Sequence, residues 1–141
     1  DAEELARRDF QVTAFDISPK GIAWCQQRFS TSSVDYQTAD LFDAPTEWQQ
    51  AFDFVLEIYT IQAIPVALRT RSIENIAHFV APSGQLLVVC RGRGPQEELN
   101  TMPWPLTRDD LAKFEQFGLR EVSFEDVRDE DGRHFRVVYE R

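Results

Sequence analysis

The chain has 141 residues, of which 43% are hydrophobic and 28% charged, and its formal net charge is -9. This length and apolar content are typical of one globular domain, which we expect to span residues 1–141. The negative charge argues against a broad surface that neutralises nucleic-acid phosphates, and no apolar run approaches the ~20 residues that cross a bilayer. We therefore expect neither a nucleic-acid partner nor membrane association.

The cysteines and the first residue indicate the setting of the chain. Cys25 and Cys90 are far apart and show neither a CxxC nor a metal-type spacing, so they suit a reducing cytoplasm. No cluster of His, Cys and Asp suggests a metal. The sequence begins on Asp1, within a segment of helical composition, and we interpret it as a mature form, a truncation or a fragment.

The first third of the sequence alternates between helix and strand. Residues 2–8 are helix formers with acids first and bases last, as the helix dipole favours. Apolar and polar residues alternate over 10–15 and predict a strand that stops at Asp16. Ser18 can then cap a helix that has Pro19 at its first position.

The alternation continues to the end of the chain. Strands are predicted over 34–39, 52–57 and 85–90. A short helix is predicted near Trp48, and a longer helix over 66–80 is ended by Pro82-Ser83-Gly84. A long loop is predicted over 91–106. A helix from Thr107 to Gly118 precedes strands over 119–127 and 135–139, which an acidic turn joins. This order predicts an α/β fold with an open, mostly parallel sheet and a C-terminal antiparallel hairpin.

Three predicted strands end in a carboxylate: Asp16, Asp40 and Glu57. Open α/β sheets bind ligands at the carboxyl ends of their strands. A carboxylate there can accept hydrogen bonds from a ribose hydroxyl pair, and one on the next strand can accept from an exocyclic amine. The pair Asp16 and Asp40 therefore indicates a nucleoside site, although acids at such junctions also serve as simple helix caps.

Five segments in this order resemble the class I S-adenosylmethionine-dependent methyltransferases: "VTAFDISP", "VDYQTADLFD", "FDFVLEIYTIQAI", "APSGQLLVVCRG" and the closing hairpin. The sequence of these segments is most similar to the thiopurine-methyltransferase-like, small-molecule branch. The resemblance implies a Rossmann-like sheet with helices on both faces. It also implies transfer of a methyl group from S-adenosylmethionine to a small-molecule acceptor.

The resemblance also implies which residues hold the adenosine part of the cofactor. The acid that ends the second strand of the family binds the ribose and corresponds to Asp16, and Ile17 would pack on the adenine. The acid after the third strand faces the adenine amine and corresponds to Asp40, with the backbone of Leu41 beside it.

The end of the fourth strand of the family lines the methionine part of the cofactor and the path of methyl transfer. These positions correspond to Glu57, Ile58 and Tyr59. Methyl transfer needs mainly proximity and alignment, and a general base is required chiefly for poorly acidic hydroxyl or amine acceptors. Glu57 and Tyr59 are the candidates for that base, and the alternative for Glu57 is that it anchors a loop.

The loop after the fifth strand of the family often carries substrate specificity. Arg91, Arg93 and Trp104 lie there and could grip an anionic or aromatic acceptor, or simply pack a solvated loop. His78 and His134 have no Ser or Cys partner at a suggestive spacing, and neither is expected to be catalytic.

One departure from the family pattern is large. The glycine-rich motif, which closes the first strand and holds the methionine portion, is absent and should lie immediately before Asp1. Its strand is normally central, between the strands over 10–15 and 52–57. Without it, those strands would pair directly, borrow a strand from a partner chain, or expose two edges through which the chain could self-associate.

Two other functions are compatible with parts of the pattern. The first is a non-catalytic remnant or interaction module that keeps the fold without the glycine loop. The second is a nicotinamide-dependent oxidoreductase, because an acid after a second strand also binds ribose there. The "ADLFD" segment and the final hairpin disfavour the oxidoreductase.

Overall fold

The computed structural model describes residues 1–98 and 102–141, in two compact units, Asp1–Pro45 and Thr46–Arg141. Residues 99–101 of the loop predicted over 91–106 lie outside the described residues. The prediction of one domain over 1–141 stays a prediction.

The first unit contains two helices, two strands and a short 3-10 turn. In chain order they are α1 (Ala2–Arg7), β1 (Thr13–Asp16), α2 (Pro19–Arg28), β2 (Asp35–Thr38) and the turn Leu41–Asp43. The helix α2 begins as the sequence predicts, because the Ser18 hydroxyl accepts a hydrogen bond from the Gly21 amide at 3.1 Å. The strands β1 and β2 are parallel, so both of their carboxyl ends lie at one edge of the sheet.

The second unit carries a four-stranded sheet. In chain order its elements are the 3-10 turn Thr46–Trp48, β3 (Phe52–Ile58), the 3-10 turns Ile61–Ala63 and Val66–Leu68, α3 (Arg69–Phe79), β4 (Val80–Arg91), α4 (Arg108–Ala112), the 3-10 turn Lys113–Phe117, β5 (Arg120–Asp129) and β6 (Gly132–Glu140). The strand order is β3-β4-β6-β5, with β3 and β4 parallel and the other two pairs antiparallel. The α/β class, with parallel strands and a closing antiparallel hairpin, is confirmed.

One face of this sheet forms the core. Alternate residues of β4 and β6 are almost completely buried: Leu86, Val88, Cys90, Phe135, Val137 and Tyr139. Their partners come from α3, α4 and the turn that follows α4. The ring centroids of Phe114 and Tyr139 are 5.0 Å apart, and the Tyr139 hydroxyl donates to the Leu111 carbonyl at 2.9 Å. Full burial of such side chains contributes about 1.5–3 kcal/mol each.

The segment Pro82-Ser83-Gly84 departs from its prediction. It does not follow a helix that reaches residue 80, because α3 ends at Phe79 and β4 begins at Val80. The segment forms an irregularity within β4, where the pairing shifts in register after Phe52. A Cβ on Gly84 would lie 3.0 Å from the Phe52 carbonyl oxygen, so the close approach of the two backbones requires glycine.

The strand predicted over 10–15 begins at Thr13, and the strand predicted over 135–139 begins earlier, at Gly132. The two helix-end signals are as predicted. The Thr107–Asp110 capping box is present, and Gly118 ends the following turn with a φ of 82°. No helix in the part of the chain that the structure describes is long and apolar enough to cross a membrane.

The unpaired strand edges of the two sheets are relevant to the glycine-rich strand that the resemblance implies before Asp1. Within the described residues β1 pairs only with β2, and β3 pairs only with β4. The preceding strand, and the helices on both faces, remain predictions.

Candidate functional site

Asp16 and Asp40 follow one local design at the carboxyl ends of β1 and β2. Asp16 Oδ1 accepts a hydrogen bond from the Ser18 amide at 2.7 Å, and Asp40 Oδ1 accepts one from the Phe42 amide at 2.8 Å. Neither Oδ2 makes a hydrogen bond within residues 1–98 and 102–141. Each carboxylate is thus oriented by one oxygen and can accept hydrogen bonds with the other.

The neighbours of these aspartates differ in exposure. Ile17 is 68% exposed, which is unusual for a β-branched apolar residue and leaves its side chain available to a flat apolar group. Leu41 is 8% exposed, so its side chain belongs to the core and only its backbone could contact a ligand. The roles that the resemblance implies for these residues remain predictions.

Glu57 is buried within the second unit, with 3% of its surface exposed. Its Oε1 accepts hydrogen bonds from the amides of Thr60 (2.7 Å) and Ile61 (3.0 Å). Its Oε2 is buried and has no hydrogen-bond partner in the part of the chain that the structure describes. Glu57 therefore holds the turn after β3, which is the loop-anchoring alternative considered from the sequence.

The burial of Glu57 changes its protonation. Loss of hydration raises its pKa from 4.5 to about 7, and the two backbone hydrogen bonds oppose this only in part. A buried oxygen without a hydrogen-bond partner costs less free energy when the carboxyl group is half protonated than when it is fully charged. Glu57 thus contributes to folding whether or not it also lines a ligand site.

Ile58 and Tyr59 lie at the end of β3. Ile58 is half-buried and pairs with Val89, and the Tyr59 amide donates to the Val89 carbonyl at 3.1 Å. Tyr59 has a φ of 61°, an uncommon conformation for a residue with a bulky side chain. Its side chain is 42% exposed and lines a cleft in the second unit.

The cleft has a volume of about 500 Å³. It lies over the carboxyl ends of β3 and β4 and the adjoining hairpin of β5 and β6. Its polar lining residues are Tyr59, Gln62, Arg91, Asp129, Asp131, His134 and Arg136. The register explains this gathering, since Arg91 of β4 faces His134 of β6, which faces Val127 of β5.

The candidate acceptor residues Arg91, Arg93 and Trp104 separate in the structure. Arg91 lines the cleft, and its guanidinium forms no ion pair within residues 1–98 and 102–141. The Arg93 guanidinium donates to carbonyl oxygens of Gly94, Glu97 and Pro105, so it fastens its own loop. The Trp104 carbonyl accepts from Arg69 at 3.1 Å, and Trp104 does not line the cleft.

His134, which the sequence does not predict to be catalytic because no Ser or Cys stands at a suggestive spacing, has an aspartate as its neighbour. His134 Nδ1 lies 3.6 Å from Asp129 Oδ1, across the turn of the hairpin. The spacing Asp-x4-His across a predicted β-turn was the available signal. No group of three or more His, Cys, Asp and Glu residues that could hold a metal occurs in the described residues.

Comparison with known proteins places these features in a family context. The sequence model of the methyltransferase domain family matches residues 1–84. A Mycobacterium ulcerans protein named as a phthiotriol/phenolphthiotriol dimycocerosates methyltransferase is 38% identical over 53 residues, which are 38% of this chain and 20% of that protein. The matched segment thus spans about a fifth of that relative.

Solved structures show the same fold at low sequence identity. A SAM-dependent methyltransferase from Methanosarcina mazei has a TM-score of 0.80 at 15% identity, over 98% of this chain and 85% of that one. A 1,6-didemethyltoxoflavin-N1-methyltransferase from Burkholderia thailandensis, described with 1,6-didemethyltoxoflavin and S-adenosylhomocysteine bound, has a TM-score of 0.75 at 14% identity, over 96% and 63%.

Proposed function

Because the chain belongs to the methyltransferase domain family, we propose that it binds S-adenosylmethionine and transfers the methyl group to a small-molecule acceptor. The observation that carries the proposal is the pair of carboxylates at the ends of β1 and β2. Each has one oxygen held by a backbone amide and a second that can accept hydrogen bonds. Two such groups on neighbouring parallel strands suit a ribose and an adenine amine.

The residues of the first unit fit the adenosine portion of this cofactor. Asp16 would accept hydrogen bonds from the ribose hydroxyls, and exposed Ile17 would pack against the adenine ring. Asp40 would accept from the adenine amine, beside the backbone of Leu41. Each role uses an atom or surface that is available in the folded chain, which supports the assignment.

The residues of the second unit would serve the methionine portion and the acceptor. Ile58 would line the methionine side, and Glu57 would shape that lining by holding the Thr60–Ile61 turn. The bound sulfonium supplies an activated methyl group, so the protein mainly positions the reactants and excludes water. A catalytic role for Glu57 stays a prediction, and its burial favours the anchoring role.

Titration calorimetry of the 141-residue chain with S-adenosylhomocysteine tests the proposal. We expect saturable binding with one site, and no binding of NADH under the same conditions. If this chain does not bind but a chain extended upstream in the same reading frame does, the glycine-rich segment expected before Asp1 is required. Absence of binding by both chains would contradict the proposal, and preferential binding of NADH would favour the oxidoreductase alternative.

A non-catalytic interaction module remains the second candidate. The observation that favours it is the free edge of β1 and of β3 within the described residues, since unpaired edges can recruit another strand. Sedimentation velocity across a tenfold concentration range tests whether this chain self-associates. Assignment to the thiopurine-methyltransferase-like branch is a further prediction, which identification of the acceptor would test. A cytoplasmic location is another, which localisation in the host cell would test.

A further inference from the structure

We propose that the cleft of the second unit binds a planar aromatic acceptor that carries a carboxylate, and that His134 removes the proton from the acceptor's hydroxyl or amine. This inference rests on the proposed methyl transfer and names its acceptor class and its base. It is carried by the cleft itself, by the His134–Asp129 pair, and by the two different side chains, Tyr59 and Arg91, that share the lining.

The Asp129 carboxylate orients the His134 imidazole. Asp129 Oδ1 is fixed by the Asp131 amide, which donates to it at 2.9 Å, and it lies 3.6 Å from His134 Nδ1. That separation is longer than a hydrogen bond but short enough for electrostatic attraction. It favours the tautomer with the proton on Nδ1, which leaves a lone pair on Nε2. The His134 side chain is 12% exposed and lines the cleft, so few of its contacts are with bulk water.

The aromatic and cationic parts of the lining define the acceptor class. The Tyr59 ring is 42% exposed and offers an apolar face to a flat ring, and its centroid lies 6.2 Å from that of His134. Of the two arginines in the lining, Arg136 lies 3.7 Å from Glu125. Arg91 forms no ion pair in the described part of the chain, so its guanidinium is available to a carboxylate.

The backbone of Arg91 is itself held in place. Gln62 is 2% exposed, and its side-chain oxygen accepts a hydrogen bond from the Arg91 amide at 2.7 Å. This contact joins the turn after β3 to the end of β4, beneath the cleft. The buried Gln62 side chain therefore fixes the backbone from which the exposed Arg91 side chain extends.

The proposed reaction balances in atoms and charge. The acceptor's oxygen or nitrogen forms a bond to the methyl carbon while the sulfur–methyl bond breaks, and the bonding pair of electrons passes to sulfur. The acceptor's proton moves to His134 Nε2, and the Asp129 carboxylate lies 3.6 Å from Nδ1 on the other side of the imidazolium that forms. Of the other two candidate bases, Glu57 does not line the cleft, and Tyr59 is a weaker base when neutral.

Ligand binding without cofactor tests the cleft. We expect the chain to bind 4-hydroxybenzoate about fivefold more tightly than benzoate, because the hydroxyl donates to His134 Nε2. His134→Leu should remove this preference, whereas His78→Leu, on the exposed face of α3, should retain it. Arg91→Gln should weaken binding of both ligands about tenfold, and Arg120→Gln, at an exposed ion pair, should not.

Two acceptors of different acidity test the base. An arene thiol is largely ionised near neutral pH, whereas a phenol has a pKa of about 10 and needs a base. With S-adenosylmethionine present, His134→Leu should lower kcat for 4-hydroxybenzoate at least ~100-fold and leave kcat for 4-mercaptobenzoate nearly unchanged. His78→Leu should change neither rate, and circular dichroism of each variant establishes that it is folded.

Three results would overturn the inference. In the first, the chain binds 4-hydroxybenzoate no more tightly than benzoate. In the second, His134→Leu loses the same fraction of its methylation rate for both acceptors. In the third, a wild-type chain that binds S-adenosylhomocysteine methylates neither acceptor. The last result leaves the proposed cofactor intact and removes only the acceptor class. A wild-type chain that fails to bind S-adenosylhomocysteine contradicts the proposed function instead, and the cofactor-free titrations still decide whether the cleft binds the aromatic acid.

Discussion

Asp16 is the last residue of β1 and Asp40 follows the parallel strand β2 by two residues, and each accepts a hydrogen bond from the backbone amide two residues further along the chain. The donors are the amides of Ser18, at 2.7 Å, and Phe42, at 2.8 Å. The Oδ1 atoms therefore cap the following turn, as the alternative considered from the sequence proposes. That capping role does not use the Oδ2 atoms, which can accept further hydrogen bonds. A carboxylate that is pre-oriented in this way loses little conformational freedom when a hydroxyl or an amine binds to it.

Glu57 should make stability depend on pH. Its pKa is raised from 4.5 to about 7, so the folded state retains a proton that the unfolded state releases between these values. The stabilisation is complete below pH 4.5 and is lost as pH rises through 7, by about 3 kcal/mol in total.

Urea denaturation at pH 5 and pH 8 measures this effect. In Glu57→Gln the difference in the free energy of unfolding between the two pH values should shrink by about 2.5 kcal/mol, because the variant has no proton to lose there. Glu47→Gln, an exposed position, serves as the control. An unchanged pH dependence in Glu57→Gln would show that Glu57 does not hold a proton in the folded chain.

The ion pair of Arg69 and Asp110 should be worth far more than the exposed pairs. Their atoms are 2.8 Å apart, and the side chains are 2% and 13% exposed. Arg69→Met removes the cation, leaves Asp110 partly buried and removes a donor to the Trp104 carbonyl, so it should lower the free energy of unfolding by about 3 kcal/mol. Arg120→Met, at an exposed pair with Glu140, should cost about 1 kcal/mol or less. Comparable losses in the two variants would contradict this assignment.

Gly92 and Gly21 should respond to alanine in opposite directions. A Cβ on Gly92 would lie 2.6 Å from ring carbons of Phe135, so Gly92→Ala should destabilise the chain by about 1–3 kcal/mol. At Gly21, in the first turn of α2, the nearest atom would be 3.5 Å away, and Gly21→Ala should stabilise the chain by up to about 1 kcal/mol. Thermal melts of both variants decide the point, and a Gly92→Ala chain as stable as wild type would show that the ring can move aside.

Local signals in the sequence predicted the elements well, because they act over a few residues. The Ser18 cap, the capping box at Thr107 and the stop at Gly118 are all present. The strand start at Val80 was missed because the bulge at Gly84 depends on the Phe52 backbone, some thirty residues away, and no local pattern encodes that approach.

The sequence predicts the positions of the candidate site residues but not their burial or the strand register that brings them together. Alternation and position in the sequence predict the acids at or near the carboxyl ends of β1, β2 and β3, but burial decides what each acid can do. Glu57 carries the same strand-end signal as Asp16, yet it is enclosed and bonded to its own loop. His134 faces Arg91 only because β6 folds back antiparallel on β4, a register that the sequence around either residue does not show.

The most direct test of the account is the affinity of S-adenosylhomocysteine for Asp16→Asn. Asparagine keeps an oxygen for the Ser18 amide, so the turn should survive while the charge that receives the ribose hydroxyls is lost. Titration calorimetry should show binding weakened by about 1–3 kcal/mol relative to wild type, with Asp35→Asn, at the opposite end of the sheet, unchanged. An unaltered affinity in a folded Asp16→Asn chain would contradict the placement of the cofactor at the ends of β1 and β2.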